Sequence, residues 1–312
     1  MFDICIVGHI CTDILAKPIE QLPPKGQLIF IDNLRVVPGG CGLNPAVYLG
    51  NMRVSTAILG KTGEDALGDF VVSTFKQAGV NYTGLRRDTK TATSATVVTI
   101  DHAGERTLMH YLGTNGTLCF EDIDMDIVLN SRILFIGGTF LMPAFDGEDT
   151  AKVLRQAKQK GIICALDTAW DASRKWMETI EECLPYLDWF LPSYEEAVEL
   201  SKEKDVDKIA GVFLGRGVKS VVIKLGADGC YVNEGSSRGY YVPPLENVTV
   251  VDTSGAGDAF CSGFLAGLSM GWNPKACAEL GNTVGALCVT EIGTITAARS
   301  FEEVLKFKKQ HQ

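Results

Sequence analysis

The chain has 312 residues, 46% of them hydrophobic and 21% charged, the balance of an ordinary globular protein with a sizeable core. Its formal charge of −9 argues against a nucleic-acid or anionic-membrane surface, both of which need a basic face, so an anionic ligand would need a local positive site. No apolar stretch approaches a membrane span, and Met1-Phe2-Asp3 leads into the apolar run Ile4 to Gly8 without a basic leader, so a cytoplasmic protein is expected.

The ten cysteines lie mostly in apolar settings, as Cys5 and Cys164 do, and none forms a Cys-x-x-Cys pair. Buried reduced thiols are expected, not disulfides or zinc. Four scattered histidines supply no close-spaced metal motif.

Phe2 to Ile10 reads as a strand that ends at Gly8 and His9 and delivers Asp13 just past its carboxyl end, where open parallel sheets bind ligands. Asp13 there either accepts ligand hydroxyls or caps a loop. Gln27 to Val37 is rich in β-formers but too short and early for a core strand with its own crossover helix. Ser94 to Leu112 has a hairpin pattern across Asp101-His102-Ala103-Gly104-Glu105. These two stretches predict a small sheet over a cleft, a lid of residues 14–37 and 94–112 inserted into a core of 1–13, 38–93 and 113–312. Exposed flap edges predict a homodimer paired through the lid strands.

Pro38-Gly39-Gly40-Cys41-Gly42-Leu43-Asn44-Pro45 is a glycine cluster running into a helix, Pro45 to Met52. Its glycines let backbone amides approach a ligand, and Asn44 can both donate and accept; a flexible joint between flap and core is compatible with that role. Further on, strands at Arg132 to Gly138, Ile162 to Asp167, Asp188 to Leu191 and Ser220 to Leu225 alternate with helices at Asp146 to Lys160, Ser173 to Cys183 and Tyr194 to Leu200. The alternation predicts an α/β fold with a doubly wound, mainly parallel sheet and helices on both faces. Gly226-Ala227-Asp228-Gly229 is a turn near the sheet's carboxyl edge. A helix from Asn273-Pro274 to about Thr290 carries small residues for close backbone approach, and Phe301 to Lys309 reads as a surface helix.

The most informative stretch is Val250-Val251-Asp252-Thr253-Ser254-Gly255-Ala256-Gly257-Asp258-Ala259-Phe260, which reads as strand, tight loop and helix. Glycines on either side of Ala256 let successive N–H groups point at one spot, at the positive end of a helix dipole, where an anion would sit. Asp258, on the first helical turn, is then either a base for a hydroxyl attacking phosphorus or an ordinary N-terminal helix acid.

This stretch resembles the carboxy-terminal signature of the ribokinase-like (PfkB) carbohydrate kinases. The resemblance extends over nearly the whole chain, through Gly8 to Asp13, Gly39 to Asn44, Gly60 to Gly68, Leu225 to Gly229, Asp252 to Phe260 and Asn282 to Gly293. It implies ATP and Mg²⁺, phosphoryl transfer to a sugar hydroxyl, and a β lid. Asp258 is then the base and Gly255, Ala256 and Gly257 the anion hole. Asp13, Gly39, Gly40 and Asn44 hold the acceptor, Gly226 and Gly229 border the nucleotide phosphates and ribose, and Asn282 lies near the adenine. Asp252, Ser254 and the loop Cys288 to Ala297, with Gly293, correspond to the family's monovalent-cation (K⁺) site.

Two departures stand out. The family's Asn-x-x-Glu motif, which organises Mg²⁺ through water, is here Ser193-Tyr194-Glu195-Glu196, which keeps Glu196 and predicts altered Mg²⁺ affinity. Lys224 stands where many members have threonine, and either reaches a nucleotide phosphate or snorkels at the strand end. Arg106 would meet a sugar acid or sugar phosphate, or be solvated in its hairpin. A nucleoside acceptor would want an aromatic platform, for which Phe30, Met109 and Tyr111 are candidates. A small-molecule sugar is the expected partner, with a nucleoside kinase or a non-catalytic sugar or nucleotide sensor as alternatives. The first strand lacks the Gly-x-Gly-x-x-Gly turn of a dinucleotide-binding dehydrogenase.

Overall fold

The computed structural model describes residues 1–103 and 105–311. In chain order its strands are β1 (Phe2–Gly8), β2 (Cys11–Lys17), β3 (Asn33–Gly39), β4 (Thr56–Gly63), β5 (Leu85–Asp88), β6 (Ala95–Ile100), β7 (Arg106–Tyr111), β8 (Ser131–Thr139), β9 (Ile163–Thr168), β10 (Trp189–Phe190), β11 (Ser220–Lys224), β12 (Cys230–Asn233) and β13 (Tyr240–Val242). The helices are α1 (Leu43–Asn51), α2 (Ala66–Gln77), α3 (Met125–Leu129), α4 (Glu148–Gln159), α5 (Met177–Ile180), α6 (Tyr194–Ser201), α7 (Val206–Leu214), α8 (Ala256–Ser269), α9 (Pro274–Cys288) and α10 (Phe301–Gln310).

Nine strands form one sheet in the order β13-β12-β11-β10-β9-β8-β1-β4-β5. Its pairs are parallel from β5 to β11, and β12 and β13 run antiparallel at the edge. This is the doubly wound, mainly parallel sheet expected from the strand–helix alternation. Alternate residues of β1 bury on opposite faces. Ile4 and Ile6 join Phe75, Phe264 and Ala278 in one core, and Cys5 and Val7 join Leu154, Phe190 and Phe213 in the other. Strand order reverses at β1, with β4 on one side and β8 on the other, so the carboxyl ends of β1, β8 and β9 open onto the crevice where such sheets bind ligands. Helices α8 and α9 approach closely: a methyl group at Gly263 would meet the Leu280 carbonyl at 2.6 Å.

The second sheet has four strands in the order β3-β2-β6-β7. Its β6–β7 hairpin matches expectation, with Glu105 donating to Asp101 Oδ1 across the turn at 2.8 Å; Gly104 of that turn lies outside the described residues. Strand β1 ends at Gly8 as expected, but Asp13 lies inside the next strand, paired with Val37 on one side and Thr96 on the other. The small sheet therefore reaches back to Cys11, ahead of the expected boundary at residue 13.

One helix expectation is corrected, and one helix was not expected. Between Ser173 and Cys183 the helix shrinks to α5, because the Asp171 carboxylate accepts from the Ser173 and Trp176 amides at 2.8 and 2.6 Å and diverts them from helical pairing. An unforeseen helix, α7, starts after Asp205, whose carboxylate caps the Lys208 amide at 3.1 Å. All ten cysteines are free thiols. No helix among the described residues is long and apolar enough to cross a membrane.

Candidate active site

The residues expected to hold an acceptor gather at the carboxyl end of β1. The chain turns at His9 into β2, and β3 returns it to Gly40, whose φ of +114° and crowding against the His9 carbonyl (2.4 Å for an added Cβ) admit only glycine. Helix α1 then begins, with Asn44 in its first turn and 2% exposed. Its amide bridges two distant segments: Nδ2 donates to Asp258 Oδ2 at 2.8 Å, and Oδ1 accepts from Thr294 Oγ1 at 3.1 Å. Asp13 lies against Gly39, where an added Cβ would meet its carboxylate at 2.5 Å. Burial pushes the Asp13 carboxyl up, against the opposing pull of Thr96, Cys11, His110 and Arg106.

Asp13, Thr96 and His110 sit side by side across β2, β6 and β7, and His110 Nδ1 lies 3.1 Å from Thr96 Oγ1. His9, beneath them, is buried with neither ring nitrogen partnered among the described residues, its ring centre 5.5 Å from that of His110. Burial, with His110 beside it, pushes His9 down to about 3, so it is neutral.

At the head of α8, Val250 and Val251 are exposed and form no strand. The Val251 and Asp252 amides instead converge on the Val289 carbonyl at the end of α9, at 2.7 and 3.2 Å, which suspends the turn from that helix. Gly255 has φ +78° and packs on Thr294, which an added Cβ would meet at 2.9 Å. The Ala256 amide makes a turn bond of 3.3 Å to Thr253, whereas the Gly255, Gly257 and Asp258 amides have no backbone partner among the described residues. Free N–H groups at a helix start form an anion site. Asp258 is on that first turn. Burial pushes its carboxyl up, while Asn44, Lys224 and Cys41 hold it down and Glu196 adds to the rise.

Beside this turn runs a groove of two adjoining cavities of about 790 and 720 Å³, which share Lys224, Gly226 and Gly257. The first holds Asp258 and Glu196; the second is lined by Leu245, Val250, Phe260, Ala286 and Val289, an apolar slot. Lys224, at the end of β11, donates to both Asp167 oxygens at 2.7 and 2.8 Å, and does not snorkel to solvent. Burial opposes its charge, but Asp167, Cys261 and Glu196 outweigh that and push the ammonium up, so it stays charged. A Cβ on Gly257 would lie 3.4 Å from Lys224 Nζ, which puts the ammonium directly behind the anion turn.

Ser193 pairs with Lys224 as a parallel bridge and caps α6. Its amide donates to Glu196 Oε2 at 3.0 Å, as does Thr168 Oγ1 at 3.0 Å. Glu196 Oε1 has no partner among the described residues, and the residue lines the cavity. No three His, Cys, Asp or Glu side chains among the described residues are gathered to chelate a metal. A divalent ion that keeps its own waters and takes its remaining ligands from phosphate oxygens fits Glu196.

Gly226 (φ +58°) borders both cavities. Gly229 is set by packing, since an added Cβ would meet the Val242 carbonyl at 2.3 Å. Asn282 Nδ2 is committed to the Val242 and Pro243 carbonyls at 3.1 and 2.8 Å, so it shapes the apolar slot.

Arg106 crosses from β7 to the main body. Its Nη2 donates to Asp252 Oδ1 at 2.8 Å and its Nη1 to Ser254 Oγ, so it is not a solvated hairpin arginine. Gly293 N–H donates to Asp252 Oδ2 at 3.0 Å. Met109 and Tyr111, expected as platform candidates, are exposed on the face of the small sheet opposite Arg106 and His110, and Phe30 is 94% exposed outside any strand.

Asp167, Thr168 and Thr294 were not singled out from sequence. Asp167 and Thr168 carried a usable signal, since they end a strand at the ligand-binding edge; Thr294 lies in the loop assigned to the cation site, but nothing in the sequence pointed to its contact with Asn44.

The sequence pattern of the pfkB family carbohydrate kinases matches residues 1–300. The chain is 30% identical over 306 residues to a probable chloroplastic fructokinase-6 of Arabidopsis thaliana, covering 92% of this chain and 79% of that protein. Among solved structures, a ribokinase of Thermotoga maritima superposes with a TM-score of 0.85 at 28% identity, covering 99% of this chain and 100% of that one. An Arabidopsis thaliana ribokinase complexed with ribose and ATP superposes with a TM-score of 0.88 at 25% identity, covering 99% of each chain. The chain belongs to the pfkB family of carbohydrate kinases.

Proposed function

We propose that the protein transfers the γ-phosphoryl group of ATP to a hydroxyl of a sugar, with Asp258 as the base. The observation that carries this reading is the Asn44–Asp258 pair at the head of α8, which sets a carboxylate beside free amides on the side where Asp13 and His110 await a polyol. The likeness to a ribokinase complexed with ribose and ATP supports a paired arrangement of acceptor and nucleotide.

In this mechanism Asp13, Asn44 and the Gly39-Gly40 backbone hold acceptor hydroxyls. The triphosphate runs along Gly226 and Gly229, with the adenine in the apolar slot shaped by Asn282. The acceptor oxygen forms a bond to phosphorus, the bond to the β-phosphate bridging oxygen breaks, and ADP leaves. Asp258 takes the hydroxyl proton, worth roughly 10²–10⁴-fold in rate. The amides at Gly255, Gly257 and Asp258 receive the charge on the transferring group, and Lys224 adds a fixed positive charge behind them. When bound, Mg²⁺ neutralises phosphate charge, with Glu196 holding its water shell beside Ser193. The small sheet, with residues 14–37 and 94–112, acts as a lid that excludes water.

We extend the proposal to a homodimer through the lid, supported by the exposed apolar residues Leu34, Val36, Met109 and Tyr111 on its outer face. Light scattering of Val36→Asp beside the wild type tests it: a monomeric variant of a dimeric wild type is expected, and a monomeric wild type sinks it.

The activity is tested by ADP release with Mg·ATP across ketoses, aldoses, sugar acids, sugar phosphates and nucleosides. Turnover on a sugar is expected. Turnover confined to nucleosides, or ATP binding without turnover on any acceptor, contradicts the proposal.

A further inference from the structure

We propose that the Arg106 guanidinium is the built-in cation of the Asp252–Ser254 turn, filling the place of a monovalent metal ion and tying the lid's position to the shape of the anion site. The inference rests on reading residues 255–258 as that site.

Two of the side-chain oxygens expected to hold K⁺, Asp252 Oδ1 and Ser254 Oγ, are taken by Arg106. Asp252 is 8% exposed, and beside the two backbone amides it accepts from, Arg106 is the one cationic side chain paired with it among the described residues. Asp252 Oδ1 accepts from Arg106 at 2.8 Å and from the Ser254 amide at 2.9 Å, while Oδ2 accepts from Gly293 at 3.0 Å. Ser254 Oγ faces the same guanidinium. Two nearby carbonyls share one thiol, since Cys288 Sγ lies 3.4 Å from the Ser254 oxygen and 3.8 Å from that of Thr294. A metal ion would have to displace the guanidinium to reach Asp252 Oδ1 or Ser254 Oγ.

A guanidinium suits the position chemically. It is always charged, more weakly hydrated than an ammonium, and its planar fork addresses two oxygens at once. Because Arg106 opens β7, its contact exists only when the small sheet lies over the main body. The turn it grips leads directly into Gly255 and the free amides. Lid closure and the setting of the anion site are therefore one event, with Arg106 as a positioning residue that touches neither substrate nor product.

The test compares wild type, Arg106→Ala and Arg106→Lys in potassium, sodium and tetramethylammonium buffers. Wild-type turnover is expected to be the same within about twofold in all three, since its cation is covalently supplied. Arg106→Ala is expected to lose roughly tenfold or more in kcat, the scale of one charge-assisted hydrogen-bonded contact, and to recover partly with added guanidinium or K⁺. Arg106→Lys falls between. Melting temperature without substrates gives a second readout: K⁺ is expected to raise that of Arg106→Ala and leave the wild type unmoved. Strong K⁺ activation or stabilisation of the wild type overturns the inference, as does an Arg106→Ala enzyme that is fully active or indifferent to guanidinium and K⁺. If the wild type turned over no acceptor in any buffer, the kinase reading would fail, and the melting comparison alone would still decide the role of Arg106.

Discussion

Asn44 Nδ2 donates to Asp258 Oδ2 at 2.8 Å, joining side chains 214 positions apart and fixing the orientation of the proposed base. The same amide is held from its other end by Thr294, which packs on Gly255. Asn44 therefore sets both the carboxylate and the turn in front of it. Asn44→Ala is expected to lower kcat roughly 10²-fold, the usual scale for one preorganised polar group, with ATP affinity nearly unchanged. Steady-state kinetics and nucleotide titration check this.

Burial raises the Asp258 carboxyl above its ordinary range, so the acid limb of kcat/KM lies higher than a solvated aspartate would give. Activity falls as pH drops through that raised value. Asn44 and Lys224 both hold the group down, so removing either moves the limb to still higher pH. The same shift bears on stability: a raised folded-state value means the protonated form is preferred, and stability from this group is lost as pH rises through it. Asp258→Asn is thus expected to melt higher than the wild type at neutral pH, by roughly 2–4 °C per kcal/mol relieved. Calorimetry checks the sign.

Lys224 and Asp167 form a buried ion pair, and such pairs contribute little stability relative to well-packed apolar substitutes. Lys224→Met leaves the Asp167 carboxylate buried and unpaired and is expected to cost about 3–5 kcal/mol. The double variant Lys224→Met with Asp167→Leu is expected to recover most of that stability but not turnover. Recovery of both would make the pair purely architectural.

Glu196 has one oxygen spent on the α6 cap and the other unpartnered at the cavity. Glu196→Gln keeps a group that can cap the helix but removes the charge. It is expected to raise the Mg²⁺ concentration for half-maximal turnover by roughly 10–100-fold, the scale for groups that hold a metal's outer shell, with melting temperature little changed. A Mg²⁺ titration at fixed ATP measures it.

The doubly wound sheet was legible because β-branched strands alternate with helical segments, and residues 252–260 were legible because their glycines and aspartate carry a specific pattern. What escaped detection depended on tertiary pairing. Val250 and Val251 have strand propensity but hang from the Val289 carbonyl, and Asp171 spends the amides that would have begun a longer α5. The break at Gly8 and His9 is legible, but nothing local shows that the chain enters a second sheet at Cys11, with Asp13 inside its strand. Asp167 was invisible as a partner because its role depends on Lys224, 57 residues away. The Arg106 contact spans 146 residues, and a hairpin arginine carries no sign of its destination.

The proposed role of Asp258, deprotonating the sugar hydroxyl that receives the phosphoryl group, is tested most directly by transfer of label from γ-³²P-ATP to the best sugar acceptor by Asp258→Asn and wild type, with nucleotide binding measured on both. Labelled sugar phosphate is expected from the wild type, with a loss of roughly 10²–10⁴-fold in the variant and unchanged ATP binding. Label transfer by the variant at a rate near that of the wild type would contradict that role.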